Sequence, residues 1–197
     1  MCIRDRNKAD KKNLGKILKQ YDVIVDGTDN FKAKFLLNKF SLEYKKKLII
    51  GAISKFEGHI FTFDFNLKKS PCLKCFYQGE PAEGVLDCET DGILGSTAVI
   101  TGSLQANEVL KAILNVGKNL NSHILIIDLL NLKFRKVLFR KRKGCVKVRF
   151  GRFSNSLPLL SVISNFWVIK SPVNVFIRRD KGHILESIYK RSYEFFS

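Results

Sequence analysis

The sequence lacks any run of about 20 apolar residues, the length that a membrane-spanning helix requires. Its amino terminus also lacks the apolar core of a signal peptide. Cysteine is sparse, with five in 197 residues. Without a secretory signal, these cysteines are expected to be reduced thiols. These absences argue against a membrane-spanning or secreted protein, and we expect a cytoplasmic one.

Acidic residues are scarce, since 18 Asp and Glu stand against 35 Lys and Arg and the net charge is +17. A nucleic-acid-binding surface is one explanation. Such a surface usually combines clustered cations with interleaved aromatic residues, and apart from residues 141–143 the sequence shows neither a helix of clustered Lys and Arg nor an aromatic platform. The other lysines are scattered, and asparagine, isoleucine and phenylalanine are abundant with them. We therefore favour compositional drift, with an acidic protein partner as its corollary.

The central feature is the stretch Asp-Gly-Thr-Asp-Asn at residues 26–30. It follows the β-branched run 23–25, which predicts a buried parallel strand that reaches its carboxyl end here. It precedes a helical pattern, and its last residues are N-cap types. Two carboxylates in one such turn, Asp26 and Asp29, could hold Mg²⁺ and through it a nucleotide's phosphates. The alternative is a capped turn with solvated aspartates.

Hydrophobic periodicity predicts an α/β protein with one core. Helices are predicted at 14–20, 31–45 and 95–114, the last ended by Gly117. Strands are predicted at 23–25, 48–53, 57–65, 123–130 and 134–140. The strand 57–65 alternates, with phenylalanines and His59 on one face, and is predicted to be half-buried and antiparallel. His59 is interpreted as a strand-face residue and not as a metal ligand.

Apart from Cys2, the cysteines form one short motif and two isolated positions. Cys72 and Cys75 have the C-x-x-C spacing that lets two thiolates bind Zn²⁺ from a tight turn, although redox pairs share it. Cys88 lies in a predicted loop between the two halves of the chain. Cys145 ends the basic loop 141–145. A structural zinc site requires four ligands, so the motif alone leaves both readings open.

Taken together, these motifs resemble a known family, the ThiF/MoeB/HesA-type adenylyltransferases, which activate ubiquitin-like sulfur carriers and are related to ubiquitin-activating enzymes. The motifs follow the family's order: Asp26-Gly27-Thr28-Asp29-Asn30, Gly51-Ala52, Glu57-Gly58, Pro71-Cys72-x-x-Cys75, Cys88, Gly92-x-Leu94-Gly95 and Gly102-Ser103-Leu104-Gln105-Ala106-x-Glu108. The resemblance covers residues 14–145, the carboxyl-terminal two thirds of that domain.

The resemblance implies a Rossmann-like mixed sheet with flanking helices that binds ATP and Mg²⁺ and adenylates the carrier's C-terminal glycine. Asp29 matches the Mg²⁺-binding aspartate and is expected to be catalytic. Asp26, Asn30 and Lys34 are expected to bind the cofactor with it, although the family usually has arginine at Lys34, and lysine lacks the fork that clamps phosphate. The carrier would belong to a molybdopterin or thiamine pathway.

The resemblance also implies a zinc site and a covalent cysteine. Cys72, Cys75 and Cys145 match zinc ligands, but the second C-x-x-C of the family is replaced after Cys145, so an incomplete or lost zinc site is expected. Cys88 matches a crossover-loop cysteine that links covalently to the carrier in some members. Three acidic neighbours at 87, 89 and 91 would raise its thiol pKa and weaken it as a nucleophile.

Small residues on the helix 95–114 (Ala98, Gly102, Ser103 and Ala106) would permit a homodimer contact.

The chain departs from the family at both ends. Residues 1–13 are interpreted as non-native or a linker, 14–150 as a partial adenylation domain, and 151–197 as an irregular tail that is divergent or out of frame. A frame slip after Cys145 would hide the fourth zinc ligand, and the nucleotide sequence decides this. The glycine-rich phosphate loop has no counterpart, so we expect this chain alone not to adenylate a carrier. The alternatives are a non-catalytic protein that docks a carrier or dimerises and, less favoured, a nucleic-acid-binding protein.

Overall fold

The computed structural model describes residues 10–77 and 92–145, and the backbone of 174–177. The helices of this part are α1 (Leu14–Leu18), α2 (Phe31–Glu43), α3 (Leu73–Tyr77) and α4 (Gly95–Leu114). The strands are β1 (Val23–Asp26), β2 (Lys47–Ser54), β3 (Glu57–Asp64), β4 (His123–Asp128), β5 (Lys133–Leu138) and β6 (Asn174–Ile177). They form one sheet in the order β5-β4-β3-β2-β1-β6.

The sheet is mixed, which confirms the predicted fold class. β1 and β2 are parallel, with Asp26 opposite Ile50, and the other pairings are antiparallel. Parallel strands need a crossover connection, and α2 supplies it. The end of β1 therefore lies beside Gly51, the next residue of β2.

Two apolar clusters cover the two faces of the sheet. One contains side chains from α1, α2 and α3, including Leu14, Phe35 and Leu73, packed on Phe61 of β3. The other contains Val109 and its neighbours on α4, packed on the opposite face. The three-layer arrangement excludes water from both faces of the central strands β1, β2 and β3, which is what strands with parallel pairing require.

β3 differs from its prediction as a half-buried strand. Its Phe61 and Phe63 are fully buried under the helices on one face, and Ile60 and Thr62 are buried on the other face. The alternation of residue types predicts one solvent-exposed face, but α4 covers that face. The prediction was wrong because the polar side chain of Thr62 is not solvated and instead donates to Glu108 of α4, at 2.8 Å.

α4 spans the residues that its periodicity predicts. Its end differs in detail: the residue in left-handed conformation directly after the helix is Asn115, with φ of 55°, and not Gly117. Asparagine tolerates this conformation because its short polar side chain can bond locally. Gly117 adopts positive φ two residues later, so it shapes the following turn.

Glu108 is a buried carboxylate that joins α4 to its surroundings. Its Oε2 accepts hydrogen bonds from Thr62 Oγ1 at 2.8 Å, Leu120 N at 2.9 Å and Asn119 Nδ2 at 3.0 Å. Its Oε1 pairs with the ammonium group of Lys111. One carboxylate thus connects the helix, β3 and the segment that leads into β4.

The two edge strands of the sheet, β5 and β6, differ from each other. All six side chains of β5 are exposed. β6, from the tail that was expected to be irregular, pairs antiparallel with β1. The domain boundaries proposed from the sequence stay a prediction. In the part of the chain that the structure describes, no helix has the length and apolar content to cross a membrane.

Candidate functional site

The stretch 26–30 forms the turn between β1 and α2, and its first carboxylate faces inward. Asp26 has no exposed surface. Its Oδ1 accepts hydrogen bonds from Thr28 N at 2.9 Å and from Thr28 Oγ1 at 2.7 Å. An aspartate that accepts from the residue two positions later forms an Asx-turn. The turn is therefore set by the strand residue that precedes it.

Lys34 occupies the other side of the Asp26 carboxylate. Its Nζ lies 3.2 Å from Asp26 Oδ2 and donates to the carbonyl oxygen of Gly51 at 3.0 Å. The Lys34 side chain is only 7% exposed. A buried charge is tolerated when it is paired and hydrogen-bonded, and both conditions hold here. The lysine thereby joins α2 to the adjacent positions of β1 and β2.

Gln105 of α4 approaches the same strand ends from the opposite face. Its Nε2 donates to the carbonyl oxygens of Asp26 at 2.8 Å and Ile49 at 3.2 Å. Gly51 makes room for it, because a Cβ there would lie 2.8 Å from Gln105 Oε1. Gln105 belongs to one of the motifs of the family resemblance, but the sequence predicts no role for it. The available signal was its position on the helix face that also carries Thr101 and Glu108, since polar residues on a buried face require partners.

Asp29 and Asn30 lie at the surface of the turn. Both residues are exposed. Asn30 caps α2, because its Oδ1 accepts from Ala33 N at 2.8 Å, and its Nδ2 donates to Asp29 Oδ1 at 3.3 Å. The Asp29 carboxylate is thus accessible and lies beside a helix N-terminus, where oxygen ligands can hold a hard cation and backbone N–H groups favour anions.

The three cysteines predicted as zinc ligands meet at a second place. Cys72 Sγ lies 3.6 Å from Cys145 Sγ and 3.9 Å from Cys75 Sγ, and all three sulfurs are within 4.8 Å of one another. Tetrahedral zinc with bonds of about 2.3 Å places its sulfur ligands about 3.8 Å apart. The three thiols therefore fit three corners of such a site.

Local contacts explain how these cysteines are brought together. Asn38 of α2 accepts a hydrogen bond from Leu73 N at 2.9 Å, and this fixes the start of α3. Cys75 N donates to the carbonyl oxygen of Cys72 at 2.8 Å, which folds the C-x-x-C segment into a turn. The basic loop delivers Cys145 through a turn that begins at Arg142.

The surroundings of the three thiols shift their pKa values in different directions. Burial raises the pKa of Cys72, and the neighbouring Cys75 adds to that effect. Burial also opposes ionisation of Cys75, but hydrogen bonds from the backbone of Arg142 and Cys72 outweigh it and hold its pKa below the ordinary value. Burial and the hydrogen bond with Cys75 raise the pKa of Cys145 to about 12. Cys75 is the readiest thiolate of the three.

The structure thus brings the predicted residues into two groups. Asp26, Asp29, Asn30 and Lys34 lie at one strand end, with the first and last buried and the middle two exposed. Cys72, Cys75 and Cys145 form the second group. Cys88 lies outside the described residues.

A mixed sheet between two helical layers, with a capped acidic turn at the end of a parallel strand, is the architecture of an open α/β domain, in which ligands bind at the carboxyl ends of the strands. The model of the ThiF family matches residues 3–147. The chain therefore belongs to the ThiF family, as its motifs predict.

Named relatives agree with this membership. The chain is 35% identical over 137 residues to the sulfur carrier protein adenylyltransferase of Thermus thermophilus, covering 68% of this chain and 51% of that protein. It is 33% identical over 156 residues to the probable molybdopterin-synthase adenylyltransferase of Gracilaria tenuistipitata, covering 79% and 43%. It is 34% identical over 139 residues to the SAMP-activating enzyme E1 of Haloferax volcanii, covering 70% and 50%. The chain spans about half the length of these curated relatives.

A solved structure shows the same fold at low sequence identity. E. coli MccB, with MccA-N7isoASN, superimposes with a TM-score of 0.58 at 17% identity, covering 72% of this chain and 44% of MccB. The agreement supports the arrangement of the sheet and its flanking helices.

Proposed function

We propose that this chain is the carboxyl-terminal part of an adenylyltransferase for a ubiquitin-like sulfur-carrier protein. The observation that carries the proposal is the exposed Asp29 carboxylate, which accepts from Asn30 beside the α2 N-terminus. The turn that carries it begins at Asp26, whose carboxylate is fixed by buried hydrogen bonds from Thr28 and Lys34. Family membership and the activities for which the relatives are named support the same reaction class.

In this reaction, the carrier's C-terminal carboxylate attacks the α-phosphorus of ATP, and pyrophosphate leaves. The product is an acyl-adenylate that reacts with sulfur nucleophiles. Asp29 would hold Mg²⁺, which neutralises charge on the phosphates. Asn30 would keep Asp29 in place and cap the helix whose N-terminus faces the anion. The chain's own contribution is positioning and electrostatic stabilisation.

The test is pyrophosphate exchange into ATP by the protein expressed from its complete gene, including whatever sequence is encoded upstream of Met1. Exchange that requires both Mg²⁺ and a carrier ending in glycine supports the proposal. Carriers of the molybdopterin and thiamine types are compared in parallel to identify the pathway. Binding of a carrier without any exchange would instead favour the non-catalytic docking function.

We also propose that the three cysteines bind zinc. The sulfur separations support this, and hydrogen bonds that hold the pKa of Cys75 below its ordinary value agree with it, since thiolates are the ligands that zinc selects. Zinc would fix α3 and the basic loop to each other. Elemental mass spectrometry of the purified protein should find about one zinc per chain. Cys72→Ser should lower both the zinc content and the unfolding temperature. Full zinc content in the variant would contradict the assignment.

Dimer formation through α4 is a further part of the proposal. The sheet-facing side of α4 carries Gln105, Glu108 and Val109, whereas Ser103 is exposed and Gly102 is partly exposed. Small residues let a second helix approach closely. Sedimentation of the protein and of Ser103→Trp tests this, because a bulky side chain at a close helix contact should dissociate the dimer.

A further inference from the structure

We propose that Asp26 and Lys34 position the Mg²⁺-binding turn and do not contact the nucleotide. This inference rests on the proposed adenylation function and concerns two residues that the family resemblance predicts to bind the cofactor. The structure gives them a shared place beneath the turn, with Asp26 fully buried and Lys34 nearly so.

Both oxygens of the Asp26 carboxylate are already occupied by protein donors. Oδ1 accepts from the backbone and the hydroxyl of Thr28, and Oδ2 pairs with Lys34 Nζ at 3.2 Å. Lys34 Nζ also donates to the carbonyl oxygen of Gly51 at 3.0 Å. A ligand that displaced Lys34 from Asp26 would leave an uncompensated carboxylate in the interior, which is costly.

The pair holds the segment that carries Asp29 at both of its ends. Asp26 fixes Thr28, the residue directly before Asp29. Lys34 fixes the first turn of α2, which begins directly after Asn30. Between these anchors, Asp29 is the exposed carboxylate. Partners beneath a metal ligand restrict its orientation, and their loss typically reduces metal affinity or activity 10- to 100-fold.

Gln105 adds an anchor from the opposite face of the sheet. It donates to the backbone carbonyl of Asp26, so the strand end is held from α2 and from α4. The charged pair is therefore part of a network that spans both layers, and its effect should appear in turn geometry and not in phosphate binding.

The first experiment is a double-mutant cycle in the unfolding of this chain, using Asp26→Asn, Lys34→Met and the double variant. Each single change leaves one buried group unpaired, so each should lower the folding equilibrium constant about 10-fold or more. The folding equilibrium constant of the double variant should fall by much less than the product of the two single effects, because neither charge remains. Lys32→Met removes an exposed lysine from the same helix and is the matched control, with little expected change. Additive effects would overturn the pairing, whatever the enzyme's activity.

The second experiment measures pyrophosphate exchange by the complete gene product at varied Mg²⁺ and ATP. Lys34→Met should raise the Mg²⁺ concentration for half-maximal exchange about 10-fold. Its KM for ATP at saturating Mg²⁺ should change less than about threefold, and Lys34→Arg, which keeps the cation, should recover most of the loss. A large increase in the KM for ATP with an unchanged Mg²⁺ requirement would make Lys34 a phosphate ligand and overturn the inference. An inactive wild-type protein would instead refute the proposed function, and the inference with it.

Discussion

Replacing Glu108 by alanine is expected to lower the free energy of unfolding by about 2 to 6 kcal/mol. The carboxylate is 3% exposed and accepts from Thr62 Oγ1 and Leu120 N, which are themselves buried. Each buried donor left without an acceptor costs about 1 to 3 kcal/mol. Asn119 and Lys111 are partly exposed, so water can replace their partner and they add little. Because a domain of this kind is stable by about 5 to 15 kcal/mol, the change is a large fraction of the whole.

The assay is urea unfolding followed by far-ultraviolet circular dichroism. Glu108→Gln keeps one acceptor oxygen and should lose less than Glu108→Ala. Asn107→Ala changes the exposed neighbour on the same helix and should shift stability by less than about 0.5 kcal/mol. A loss below about 1 kcal/mol in Glu108→Ala would refute the assigned role of this carboxylate.

The pH dependence gives an independent check on the same residue. Burial would raise the pKa of Glu108, but hydrogen bonds from Lys111, Leu120, Asn119 and Thr62 outweigh it and hold the pKa below its ordinary value of 4.5. A carboxylate whose pKa is lower in the folded state stabilises that state above the unfolded pKa. This contribution is lost as pH falls through the folded pKa. The stability gap between wild type and Glu108→Gln should therefore shrink below pH 4.5, and a constant gap in acid would contradict the reasoning.

Further substitutions test a helix cap and a close packing contact. Asn30→Ala removes the α2 N-cap and should lower the free energy of unfolding, measured in urea, by about 1 kcal/mol, whereas Asn30→Ser should retain most of the stability. Equal stability of the two variants would argue against the cap. Gly58→Ala would bring a Cβ against Thr101 Oγ1 and should lower the free energy of unfolding by about 1 to 3 kcal/mol. Adding Thr101→Ala to that variant should recover part of the loss in thermal unfolding, and no recovery would contradict the contact.

The sequence predicted those features that depend on local pattern. The β1 turn, the Asn30 cap and the full extent of α4 follow from residue types and periodicity, and the structure agrees with them. The bounds of β4 and β5 were each predicted too long at the carboxyl end. Strand ends depend on pairing with neighbours, and the sequence of one strand does not contain that information.

The direction in which side chains face could not be predicted. Asp26 and Asp29 are the same residue type, three positions apart, yet one is buried and the other exposed. The difference arises because Lys34 and Gln105 reach the strand end from two other elements. Burial of Thr62 was missed for the same reason, since its acceptor lies on α4, 46 positions away in the chain. The meeting of Cys145 with Cys72 across 73 positions was expected only from the family resemblance.

The central claim, that Asp29 holds Mg²⁺ for carrier adenylation, is tested most directly by pyrophosphate exchange in the Asp29→Asn variant of the complete gene product. Mg²⁺ held there would supply several kcal/mol of charge stabilisation in the transition state, so exchange by Asp29→Asn at saturating ATP should fall at least about 100-fold. Asp22→Asn, which changes an exposed aspartate before the opposite end of β1, is the matched control and should remain near wild type. Near-normal exchange by Asp29→Asn at saturating Mg²⁺ would contradict the account.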